Sequence, residues 1–244
     1  MRAFNYFELL LNQLAAGDGN PGEINEKLKE KKIHKLDLPQ DYTVTPMSQP
    51  SDVNMNAVNI YADGQTGNWY VTGGGSWNDL TWTADAPSFR LYPNVGSKKN
   101  VGGYDTVGIT YYNTSGTYGT TVLSSQGYWH DGVGNSWSSY SPSHGDGKLG
   151  AAFDFQDKVR ITKVNWDGSY SYVYEGKGFA ATLTYTPNFV YYNGKARTFY
   201  GHTYNQATVD NVTFGASTGD FGVDIQLSNT SQGFKAFNNS DTNF

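Results

Sequence analysis

The residues best suited to chemistry lie in one aromatic, glycine-rich stretch, residues 124–150, which holds Trp129, His130, Asp131, Asn135, Trp137, Ser139, Tyr140, His144 and Asp146. Imidazoles and carboxylates at His130, Asp131, His144 and Asp146 are ligand types for zinc and similar ions, but their spacing matches no metal motif. Asp131, Asn135 and Asp146 among glycines offer oxygen donors of the kind calcium takes, without the EF-hand pattern. No cofactor is expected, calcium being the one ion this stretch leaves open. Indole and phenol faces stack on sugar rings, and short polar side chains between them hydrogen-bond hydroxyls. Residues 127–150 of this stretch therefore read as a glycan-binding loop, with Trp129, His130, Asp131, Asn135, Trp137, Ser139, Tyr140 and His144 as its ligand-binding residues and no catalytic or metal-binding residue assigned.

Other catalytic patterns fare worse. Gly215-Ala216-Ser217-Thr218-Gly219 matches a nucleophile elbow, yet a strand pattern follows where that motif needs a helix, and the last histidine, His202, precedes the serine. It reads as a hairpin turn. A glycoside hydrolase needs two carboxyl groups across the scissile bond. Glu175 is the sole glutamate after residue 45, and strand alternation places it opposite Tyr170, Tyr172 and Tyr174 as a solvated carboxylate. Gly73-Gly74-Gly75 lacks the helix that a phosphate-cradling loop requires, and reads as a flexible turn or bulge.

These residues must be positioned by strands. Val159 and Ile161 alternate with polar neighbours, Asp167-Gly168 fits a type I′ turn, and Tyr170, Tyr172 and Tyr174 share the returning face. Gly176 and Gly178 lead into Phe179 to Tyr185, and Asn193-Gly194 turns the chain into Arg197 to Tyr204, so an antiparallel meander is expected. Val58 to Thr72, Val107 to Val122, Thr208 to Phe214 and Phe221 to Ser228 supply further strands, and the tail through Phe234 and Phe237 to Phe244 reads either as a last edge strand or as a frayed end.

Residues 1–44 differ from the rest. Arg2 followed by Phe4, Phe7, Leu9, Leu10, Leu11 and Leu14 hints at a secretory signal, but Asn5, Glu8, Asn12 and Gln13 interrupt its apolar stretch, so the segment reads as a short amphipathic helix and no clear export signal stands out. Asn20-Pro21-Gly22-Glu23 opens a second helix by a capping box, expected to run to Leu36 with Pro39 closing it. The expected division is a helical N-terminal arm over 1–44 and, over 45–244, an all-β antiparallel sandwich, jelly-roll-like.

Composition bounds the function. With 244 residues, no cysteine, 16% aromatic and 16% charged side chains, and a net charge of −5, the chain reads as a secreted or cell-surface β protein without thiol chemistry. It has no basic stripe for nucleic acid and no apolar run of about 18 residues to cross a membrane. Locally, Gly127-Tyr128-Trp129, Gly132, Gly134, Ser136, Ser138, Tyr140 and His144-Gly145 resemble the start of the lactococcin 972 family of secreted bacteriocins, which are small β-sandwiches. The expected function is non-catalytic binding of a glycan or cell-wall polymer. Alternatives are a self-associating structural surface protein, an antibacterial or pore-forming protein using a hairpin from Tyr104 to Ser124, and a jelly-roll glycosidase.

Overall fold

A computed structural model of the chain describes residues 3–37, 52–78, 81–88, 93–112, 121–215, 222–238 and 242–243. Residues 216–219 of the serine motif, Pro39, Phe89, Tyr92, the turn at 114–117 and Phe221 lie outside them.

The chain is an all-β antiparallel sandwich behind two N-terminal helices. Helix α1 (Ala3–Ala16) buries Leu10, Leu11, Ala15 and Ala16. Helix α2 (Pro21–Glu30) starts at the expected N-cap with Pro21 in the first turn, but in place of the capping box the Asn20 side chain accepts from the Gly22 amide at 2.9 Å and its Nδ2 donates to the Glu23 carboxylate at 3.4 Å. The helix stops short of Leu36. Lys32 takes a left-handed φ of 59°, and Ile33–Lys35 becomes strand β1. Ile33, branched at Cβ, gains more by burial in a sheet edge than by extending a weakly amphipathic helix.

Strands β2 (Val53–Met55), β3 (Asn59–Asp63), β4 (Trp69–Trp77), β7 (Val122–His130), β8 (Ser136–Ser139) and β12 (Gly178–Tyr185) join β1 in one sheet, in the order β1-β3-β4-β12-β7-β8, with β2 also on β4. Facing it is a sheet of β6 (Asp105–Tyr112), β9 (Gly150–Phe155), β13 (Lys195–Thr203), β16 (Gly233–Phe237) and β17 (Thr242–Asn243). Val71, Phe179 and Leu183 of the first sheet meet Val107, Ile109 and Tyr200 of the second in one buried core. Phe179 and Tyr200 stack with ring centroids 3.9 Å apart. Each such fully buried apolar side chain contributes about 1.5–3 kcal/mol relative to exposure. A smaller sheet of β5 (Lys98–Asn100), β10 (Lys158–Val164) and β11 (Tyr170–Tyr174) flanks the sandwich, and β14 (Val209–Phe214) pairs with β15 (Val223–Leu227) as a hairpin.

Four local expectations need correction. First, the triple glycine is no turn: Gly73 to Gly75 lie inside β4, opposite Ala181, Ala180 and Phe179 of β12. A Cβ on Gly73 would sit 1.8 Å from Thr198 Oγ1 of the facing sheet, so glycine here permits close approach of the two sheets. Second, residues 124–150 are not one irregular loop, because β7 and β8 form a hairpin within them. Third, the meander fails: β10 and β11 pair as expected, but the chain then crosses to the centre of the large sheet as β12 and to the centre of the opposite sheet as β13. Likewise β6 and β7 belong to different sheets and do not pair as the Tyr104 to Ser124 hairpin expects, while Tyr118 and Thr120 of its return strand lie outside the described residues. Fourth, Gly168 has φ 81° while Asp167 is not left-handed, so the β10–β11 turn is not type I′.

Helix α1 lies on the outer face of β4, β12 and β7. That face is mixed: Tyr70, Tyr128 and Ala180 pack against Leu10, Leu11, Ala15 and Ala16 of the helix, with hydroxyls and amides between them. The helix meets it with polar groups: Ser124 and Thr184 hydroxyls each donate to Glu8 Oε1 at 2.6 Å, Asn12 Nδ2 donates to Gln126 Oε1 at 3.0 Å, and Thr182 donates to Asn12 Oδ1 at 2.8 Å. Burial raises the Glu8 pKa against these hydrogen bonds, which lower it.

Candidate functional site, an open cleft beside Trp137

The β7–β8 turn is built on Asp131. Its Oδ1 accepts from the Val133 and Asn135 amides at 2.9 and 3.0 Å, and Asn135 Nδ2 donates to its Oδ2 at 2.6 Å. Gly132 and Gly134, at φ 71° and 104°, take conformations that other residues rarely adopt. The closed turn sends Trp137 out along β8, directly opposite Trp129 of β7.

The flanking sheet brings charge to the same place. Lys98 of β5 and Arg160 of β10 are register partners and so share one sheet face. Arg160 Nη2 donates to Asp131 Oδ2 at 2.6 Å and its Nε to Glu175 Oε1 at 2.9 Å, while Lys98 Nζ lies 2.7 Å from the same Glu175 oxygen. The Lys98 ammonium stands 5.8 Å from the centre of the Trp137 ring, within cation–π range. Lys98, Gly134, Asn135, Ser136, Trp137, Arg160 and Glu175 line an open cleft of about 590 Å³. Lys98, Arg160 and Glu175 of the cleft, with Asp131 behind Arg160, form a charge-balanced network, so the cleft presents directional donors and acceptors. Burial would raise the Asp131 pKa, but hydrogen bonds from Asn135, Val133 and Arg160 outweigh it and hold the carboxyl below its usual range. Asp131 is therefore ionised at neutral pH and is no general acid.

The sequence-expected site residues separate in space. Asn135 and Trp137 line the cleft, and Asp131 anchors its arginine. Trp129 is half-buried and stacks on Phe155 at 4.9 Å, as core. His130 is buried, with Nε2 3.0 Å from the Ala16 carbonyl and Nδ1 accepting from the Gly132 amide. Ser139 donates to the Ser141 carbonyl, Tyr140 is exposed, and His144 Nε2 pairs with Asp154 at 2.9 Å. Asp146 caps the Lys148 amide. The four metal candidates thus take separate partners, and Asp131 and Asn135 are engaged with each other without Asp146. Glu175 is buried and ion-paired, not solvated: alternation put it on the correct face, but that face is covered. Lys98 and Arg160 were missed, since only the pairing of β5 with β10 brings them to Trp137.

A second polar constellation is enclosed in the core. Asp105, Asp157 and His202 have ligand-type atoms all within 4.8 Å of one another, the one such group of three or more among the described residues. Tyr200 and Tyr174 donate to Asp105 and Asp157 at 2.5 and 2.6 Å, His202 Nδ1 lies 3.0 Å from Asp105 Oδ2, and Asp85 stands 3.6 Å from His202 Nε2. Burial would lower the His202 pKa, but the Asp105 charge and hydrogen bond, with Asp85 and Asp157, push it up to about 10. Burial first, then the Asp105 charge, pushes Asp157 well above its usual value. The residue types suit a divalent cation, whose binding would displace the proton that Asp105 and its neighbours favour on His202. The cluster ties β6 and β13 of one sheet to Tyr174 of the flanking sheet and to the β9–β10 connection.

No helix among the described residues is long and apolar enough to cross a membrane. No family model matches the chain and no curated protein matches it, so the likeness of 127–145 to the lactococcin 972 family remains a local one.

Proposed function

We propose that this chain is a secreted or cell-surface, non-catalytic binding protein that recognises a glycan or cell-wall polymer in the cleft beside Trp137. The observation that carries the reading is the half-buried Trp137 indole at an open cleft lined by Lys98, Asn135, Ser136, Arg160 and Glu175. An aromatic face packs on the apolar face of a sugar ring, while ionised donors and acceptors around it bind hydroxyls more strongly than neutral groups do. The binding role moves from a long loop to one hairpin and the sheet beside it. Binding is favoured over hydrolysis because both carboxylates near Trp137 are tied to Arg160, one of them held ionised. The low charge and absence of cysteine support an extracellular setting.

The test is calorimetric titration of a panel of soluble glycans and wall fragments into the wild type and Trp137→Ala. The reading expects saturable binding by the wild type, weakened at least tenfold in the variant. Identical titrations for the two proteins would remove the cleft as the site.

A further inference from the structure

The cleft beside Trp137 has a neighbour of opposite character. Val133, Tyr172, Val173, Tyr174, Trp82 and Lys177 form most of the lining of a cavity of about 220 Å³, with Asp131 and Gly132 completing it. Its open side carries Val133, 62% exposed, and Tyr172, 39% exposed, apolar surface that the fold itself does not bury. The two cavities share a wall. Asp131 lines the apolar cavity and Arg160 the polar one, and they are bonded at 2.6 Å. Arg160 and Val173 are register partners on adjacent strands, one lining each cavity. The turn at 131–135 therefore separates two adjoining sites, one presenting charged donors and acceptors, the other valine and aromatic surface.

Resting on the glycan reading above, we propose that the apolar cavity is a second subsite of the same binding surface and that the ligand is a linear oligosaccharide of N-acylated amino sugars. A plain glucan offers hydroxyls throughout and has nothing to fill an apolar cavity except ring faces. An N-acylated unit adds a methyl-bearing group that leaves water there, while the hydroxyls of the neighbouring unit meet Arg160, Glu175 and Asn135. The balanced charge of the polar cleft fits an uncharged saccharide in preference to a polyanion.

The experiment compares tetrasaccharides with the same β-1,4 linkage, one of N-acetylglucosamine and one of glucose, by calorimetry on the full chain and on Tyr172→Ala and Val133→Ser. Both positions are exposed, and unchanged thermal midpoints confirm folding. The expected result is at least tenfold tighter binding of the N-acetylated ligand by the wild type, with the preference falling below threefold in the variants and the glucan affinity unchanged. Equal wild-type affinities, no binding of either tetrasaccharide, or a preference that survives both substitutions overturns the proposal. Trp137→Ala distinguishes the two levels. If it weakens both ligands while the subsite variants leave the preference intact, only the second subsite falls. If it changes neither, the glycan cleft falls with it.

Discussion

The buried imidazole at His202 makes stability depend on pH in a calculable way. Facing it are Asp105 from β6, Asp157 from the β9–β10 connection, Asp85 after the 3-10 helix Thr81–Ala84, and the hydroxyls of Tyr200 and Tyr174. The folded pKa of His202 is about 10 against an ordinary 6.5. A raised histidine pKa gives stabilisation that is complete below the unfolded value and disappears as pH rises through the folded one. The shift corresponds to on the order of 5 kcal/mol near pH 6, roughly half of it gone by pH 8 and most by pH 10. Asp157, also raised, acts in the same direction: its protonated form suits the fold, so higher pH again favours the unfolded chain. Since whole domains are stable by about 5–15 kcal/mol, the loss is decisive. With a urea slope of about 2–3 kcal/mol/M, the unfolding midpoint should fall by about 1 M between pH 6 and pH 8. The assay is urea unfolding followed by circular dichroism at pH 6, 7, 8 and 9, on the wild type and His202→Gln. The glutamine variant should be less stable at pH 6 and show a flatter profile. A wild-type midpoint that is constant or rises over this range, or a variant with the same slope, would refute the reasoning.

Two further perturbations probe the packing. Gly73→Ala should cost about 1–3 kcal/mol, because its Cβ would force Thr198 across the sandwich to move; a thermal midpoint within about 2 °C of wild type would contradict the close approach. Glu8→Gln should preserve an acceptor for Ser124 and Thr184 while removing ionisation, so it should be neutral or stabilising at pH 8. Glu8→Ala, which strands both hydroxyls, should cost about 1–3 kcal/mol in urea unfolding. The sign for Glu8 follows from its raised pKa: its contribution is greatest when protonated at low pH and declines as pH climbs above the usual carboxylate range.

Local patterns carried the local elements. Alternation at Val159 and Ile161 against Tyr172 and Tyr174, and at Val223, Ile225 and Leu227, corresponds to β10–β11 and β15, and Asn20-Pro21 marks the start of α2. What misled was long-range. Three consecutive glycines look like a turn unless one knows that Thr198, 125 positions later by number, packs against the first of them. Ile33–Lys35 carries a helix-compatible pattern, and only pairing with β3 makes it a strand. In the site, Asp131, Asn135 and Trp137 were visible because one short turn holds them. Lys98, Arg160 and Glu175 come from β5, β10 and the end of β11, and no spacing along the chain brings them together. The glycines around Trp129 and His130 suggest a loop, whereas both belong to a strand whose two faces are covered by Phe155 and by α1. The Asp105, Asp157 and His202 cluster likewise unites positions nearly a hundred residues apart.

The most direct test of the central claim uses the two indoles this surface exposes unequally. Trp166, at the tip of the β10–β11 hairpin, is 99% exposed, while Trp137 is half-buried at the cleft. Any adventitious aromatic stacking should favour Trp166. Calorimetric affinity for the best glycan of the panel should fall at least tenfold, about 1.4 kcal/mol, in Trp137→Ala and stay within twofold of wild type in Trp166→Ala. Wild-type affinity in Trp137→Ala, or loss in Trp166→Ala alone, would contradict the cleft as the binding site.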